Sequence, residues 1–164
     1  MLYTILVEKY KTQKISLFQI EAKNPFGAVE ELLHSQPQWD ITVSQKDLVR
    51  IKGMKGVWYL DFEKDNHFFL ANIIEHSSQA GAFTCITYFR GGTYIEQLKN
   101  SNVDSLLQHW GSNKSHLYYS KEDKIAIKER ALKVRKWEIQ KASENVYRFS
   151  WNINHKNLKL YVIC

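Results

Sequence analysis

The chain has 164 residues, 44% apolar and 13% aromatic, with 23 basic and 17 acidic side chains and a formal net charge of +6. A chain of that length buries about 70% of its unfolded surface in one core, so a single domain over residues 1–164 is expected. No run reaches the ~20 apolar residues of a membrane span, the apolar opening from Met1 to Val7 has no basic leader, and Cys85 and Cys164 make no disulfide framework. A cytoplasmic setting without a membrane partner is therefore the expectation.

Residues 2–10 and 15–22 alternate apolar and polar, with Tyr3, Ile5 and Val7 on one face of the first and Phe18, Ile20 and Ala22 on one face of the second, and so predict an N-terminal hairpin. Asn24-Pro25 follows as a capping side chain and a first-turn proline. Ala28, Val29, Leu32 and Leu33 then make one apolar stripe on a helix that stops before Pro37.

From Trp39 to Leu98 the pattern is mostly extended. Trp39, Ile41 and Val43 alternate, the segments 48–52 and 57–63 flank Gly53 and Gly56, and 84–90 meets 93–98 across Gly91-Gly92, a two-residue turn that needs left-handed backbone. Residues 67–76 satisfy a helical stripe and a buried strand equally well; the loop-like Ser77 to Gly81 favours a strand.

A second helix is predicted over 103–110, capped by Asn102 and ended by Gly111, and a third from Ser120, in capping-box spacing with Asp123, to about Lys133. Continuing that helix to Ile139 would split its apolar residues into two stripes. The remainder is instead predicted as a three-stranded meander of 134–141, 146–152 and 157–163, whose turns fall to Asn145, Asn154 and Asn157. No repeat and no dividing linker is evident. The predicted fold class is α+β: a mainly antiparallel sheet with about three helices, opening on a β-hairpin and helix and closing on the meander.

The charge is not spread evenly. Residues 1–120 hold 12 basic and 12 acidic side chains, whereas residues 121–164 hold 11 and 5, so the whole excess lies in the last 44 residues. Such an excess can steer an anionic partner from a distance. The candidate docking residues are Lys121, Lys124, Lys128, Arg130 and Lys133 on the third helix, then Arg135, Lys136, Arg148 and Trp151. Tyr147, Phe149 and Trp151 share one face of a strand, which serves either as a stacking platform for bases or as the inward face of the sheet. Lysine outnumbers arginine 18 to 5, and that weighs against base-specific recognition by the guanidinium fork.

No motif names a reaction. His109 and His116 are separated by Gly111, and no Cys or carboxylate cluster has zinc spacing. Asp104, Ser105 and His109 lack the glycine-flanked turn that presents a nucleophile. Asp61 and Glu63 would share one strand face and suggest a metal-dependent nuclease as a third reading, without an acidic partner upstream. Gly53-Met54-Lys55-Gly56 lacks the phosphate-loop pattern and is taken as a tight connection. The expectation is a non-enzyme without metal or cofactor, a stoichiometric binding protein of the inhibitor, immunity or antitoxin kind. Its partner would be an acidic protein, a toxin or an enzyme, with nucleic acid as the alternative partner.

Overall fold

The computed structural model describes residues 1–10, 12, 14–76, 81–112, 119–135 and 138–164. Among the described residues the chain is mainly antiparallel α+β, with two five-stranded sheets and three α-helices. Its contacts divide it into two compact units, Met1–Ser78 and Gln79–Cys164.

In the first unit, β1 (Leu2–Lys9) and β2 (Lys14–Glu21) form the predicted hairpin, and α1 (Pro25–Ser35) follows with Asn24 accepting from the Gly27 N–H. Then come β3 (Val49–Arg50), β4 (Val57–Lys64) and β5 (His67–Glu75), in the sheet order β2-β1-β5-β4-β3. The ambiguous segment is thus a strand. Tyr3, Ile5 and Val7 pack with Ala28, Val29 and Leu32 of α1 and with Leu60, Ala71 and Ile73 to make the core. The alternating Trp39, Ile41 and Val43 do not form a strand. Pro37–Trp39 is a single 3₁₀ turn ended by left-handed Asp40, and this turns the Trp39 ring between Phe18 and Phe62.

In the second unit, β6 (Ala82–Phe89) and β7 (Gly92–Lys99) are followed by α2 (Val103–Ser112), α3 (Lys121–Leu132), β8 (Gln140–Ser143), β9 (Val146–Ile153) and β10 (Lys156–Ile163), in the order β7-β6-β10-β9-β8. Three local expectations are corrected. The β6–β7 turn is Arg90-Gly91, both left-handed, while Gly92 pairs with Phe89 beneath the Tyr94 ring, where a Cβ would collide. Gly111 does not end α2; it lies inside the helix because its bare Cα lets Ala131 of α3 approach closely. The meander's first strand starts only at Gln140, and its last turn uses Asn154 and His155 rather than Asn157. Trp137, expected on that strand, lies outside the described residues.

Apart from α3, the second unit repeats the order of the first: a hairpin, a helix, then three strands of which the last returns to pair with the first. The agreement extends to single residues. Thr4 faces Gln19 and Thr84 faces Gln97, and in each pair the glutamine amide reaches the threonine hydroxyl, at 3.5 and 3.2 Å. Asn24 and Asn102 each accept from the N–H three residues on, at 2.8 and 2.9 Å. The last hairpins turn on left-handed Asp65-Asn66 and Asn154-His155. Left-handed Gly56 and Asn145 precede β4 and β9, and their carbonyls accept from the N–H groups of Glu75 and Cys164 at 2.8 and 2.9 Å. No repeat is visible in the sequence because these matches lie in registers, caps and turns, while the core side chains differ.

Candidate functional site

The charge asymmetry follows the division of the fold. The first unit holds 9 basic and 10 acidic side chains, net −1, and the second holds 14 and 7, net +7. The element most responsible is α3, which stands between α2 and β8, where the first unit has only two 3₁₀ turns between α1 and β3.

Ser120 starts α3 by accepting from the Asp123 N–H at 3.1 Å, and acidic Glu122 and Asp123 in the first turn suit the positive end of the helix dipole. Spacings of four place Asp123, Ile127 and Ala131 on the buried face, where Ile127 and Ala131 join the core with Leu106, Leu107 and Trp110.

Asp123 is only 1% exposed, and the hydrogen bonds from Arg90 and Asn154 fall on the same one of its oxygens. Arg90 donates from Nη2 to one carboxylate oxygen at 3.0 Å and lies with Nε 2.8 Å from the other, and Asn154 donates at 2.9 Å. Burial alone would raise the Asp123 pKa, but the hydrogen bonds from Asn154, Arg90 and Ser120 and the Arg90 charge hold it below the usual aspartate value. One side chain thus ties the β6–β7 turn and the β9–β10 turn to the start of α3. It also removes an acid from the basic surface at the expense of a cation that precedes the basic segment in sequence.

The opposite face of α3 carries Lys121, Ile125, Lys128 and Leu132, spaced by four, three and four residues and so aligned along one stripe. Both lysines are exposed, and among the described residues neither enters an ion pair. Ile125 and Leu132 are 51% and 52% exposed, although isoleucine and leucine are usually buried. Composition and charge did not single out these two; their seven-residue separation, off the stripe of Ile127 and Ala131, is the signal that finds them.

The remaining predicted site residues divide. Lys124 is half-buried, Lys133 is exposed at the C-cap, and Arg135 and Arg148 are exposed, with Arg148 donating to Gln140 at 3.3 Å. Arg130 is paired with Glu138 and lies 5.6 Å over the Trp151 ring. The same carboxylate accepts from the Arg135 N–H at 2.8 Å, and hydrogen bonding to Arg130 foremost lowers its pKa. Trp151 is a correction: at 4% exposure it packs against Trp110 and Phe149 as a core residue, because β9 turns alternate side chains inward. Phe149 is buried with it and Tyr147 is half-buried against the same core, so the row of rings offers bases no open platform. Lys136 lies outside the described residues.

No family model, curated protein or solved structure matches the chain. Among the described residues no helix is long and apolar enough to cross a membrane, and no group of three or more His, Cys, Asp or Glu is placed to hold a metal. Asp61 and Glu63 point outward from β4, opposite Leu70 and Phe68. His116 lies outside the described residues.

Proposed function

We propose that the protein is a non-catalytic, cytoplasmic binding protein of the inhibitor, immunity or antitoxin kind, which docks an acidic protein, a toxin or an enzyme, through the basic second unit. The carrying observation is the outer stripe of α3, where two exposed lysines, neither ion-paired among the described residues, alternate with two exposed aliphatic side chains. Long-range attraction by the +7 unit speeds encounter, and burial of Ile125 and Leu132 then supplies the apolar contact that ammonium groups cannot. The partner is blocked by occupancy, without a cofactor.

The test is recovery of a partner on immobilised protein from the native host, its identification, and binding kinetics with both proteins purified. Lys121→Glu, Lys128→Glu and Lys133→Glu together are expected to slow association about 10- to 100-fold at low salt, with a smaller effect at high salt. Unchanged association with the triple variant contradicts the proposal. So does a preparation that binds mixed oligonucleotides and no protein.

A further inference from the structure

The connection between β3 and β4 is longer than the repeated fold requires. Seven residues separate Arg50 from its ladder partner Trp58, whereas five separate the equivalent Lys141 from Tyr147. The longer segment is closed by the Met54 N–H on the Ile51 carbonyl at 3.2 Å and the Ile51 N–H on the Val57 carbonyl at 3.0 Å. Gly53 and Gly56 take φ of +82° and +67°, and no atom lies within 4 Å of where a side chain on Gly53 would begin. The backbone is therefore held in a tight turn with Gly53 facing open space.

Residues 50–55 line a shallow concavity of about 460 Å³ that is open to solvent. Arg50, Lys52 and Lys55 are all exposed on it, and the sequence has no carboxylate from Leu48 to Leu60. Glu75, which packs against Gly56, is not among the lining residues. Arg50, Lys52 and Lys55 lie within six residues while the unit around them is net negative, so general basicity does not account for them. The counterpart in the second unit, 141–145, keeps the left-handed residue before the strand and one cation, Lys141 in the place of Arg50, with Glu144 beside it. The fold is thus achieved without the extra residues and the charges of Lys52 and Lys55.

We propose that this cup is an anion site for the phosphate group of a small phosphorylated molecule. Arg50 supplies a planar two-pronged contact, Lys52 and Lys55 supply point charges, and Ile51 and Met54 give an apolar wall for the group that carries the phosphate. The site lies in the other unit from α3 and stands or falls apart from the docking surface.

The test is titration of the full-length protein at low salt with inorganic phosphate, adenosine monophosphate and a short single-stranded oligonucleotide, followed through backbone amide shifts. Saturable shifts confined to residues 50–56 at millimolar phosphate or nucleotide are expected. Arg50→Ala with Lys52→Ala, both at exposed positions, is expected to weaken binding about tenfold or more. Arg50→Lys keeps the charge and loses the fork, and falls between. Lys141→Ala, at the equivalent place in the second unit, leaves affinity unchanged. Tighter binding of the oligonucleotide at the same amides overturns the small-molecule assignment in favour of nucleic acid. Absence of saturable shifts, or shifts that persist in the Arg50 and Lys52 double variant, overturns it.

Discussion

Replacement of Asp123 by asparagine removes one charge while keeping the shape of the side chain, and the structure sets the size of the effect. The carboxylate is 1% exposed and takes hydrogen bonds from Arg90 and Asn154, whereas Arg90 is 44% exposed and Asn154 lies at the surface. Loss of one partner of a fully buried ion pair costs about 3–5 kcal/mol. Arg90 can turn to solvent once released, so the expected loss is smaller, about 2–3 kcal/mol. For a chain of 164 residues that corresponds to a fall in Tm of about 5–10 °C. The folded pKa of Asp123 is below its ordinary value, so the native state holds its charge more readily than the unfolded chain does. Its stabilising contribution is then complete above the unfolded value of about 3.9 and is lost as pH falls through the lowered folded value. Thermal melts of wild type and Asp123→Asn from neutral to acid pH give the readout: a gap at neutral pH that closes on acidification. A gap of less than about 1 °C at neutral pH, or one that widens in acid, refutes the assignment of Asp123 as the link between the two turns and α3.

Two further expectations concern stability alone. Gly111→Ala sets a methyl group against Ala131 and forces α2 and α3 apart, at a cost of about 1–3 kcal/mol by urea denaturation even though alanine is the better helix former. Asn24→Ala and Asn102→Ala each remove an equivalent N-cap, and each is expected to cost about 1 kcal/mol; a neutral result at one position only would show that the helix starts are not equivalent.

Where local chemistry decided the structure, the sequence was legible. Polar and apolar alternation revealed β1 and β2, the Asn24-Pro25 pair set the start of α1, and Ser120 set the start of α3. Alternation misled at Trp39 to Val43, since three alternating positions cannot outweigh a proline-started turn that places one indole against Phe18 and Phe62. The repeat was hidden for a different reason: equivalent positions carry Ile5 and Cys85, Phe18 and Glu96, or Leu32 and Trp110, so the shared information lies in which backbone groups pair. The charge excess was visible as a count, but its distribution was not. Pairing of Arg130 with Glu138 and of Asp123 with Arg90 is decided by packing, and packing also moves Trp151 inward and leaves Ile125 and Leu132 outside.

The docking proposed for this protein requires the outer face of α3 to meet a protein partner. A photoreactive amino acid at position 125 of the full-length chain, made in its native host and compared with the same group at exposed Phe68 of the first unit, tests this directly. The account predicts a discrete protein adduct from position 125, absent from position 68 and lost with Lys121→Glu and Lys128→Glu. No adduct from position 125, or the same adducts from both positions, contradicts it.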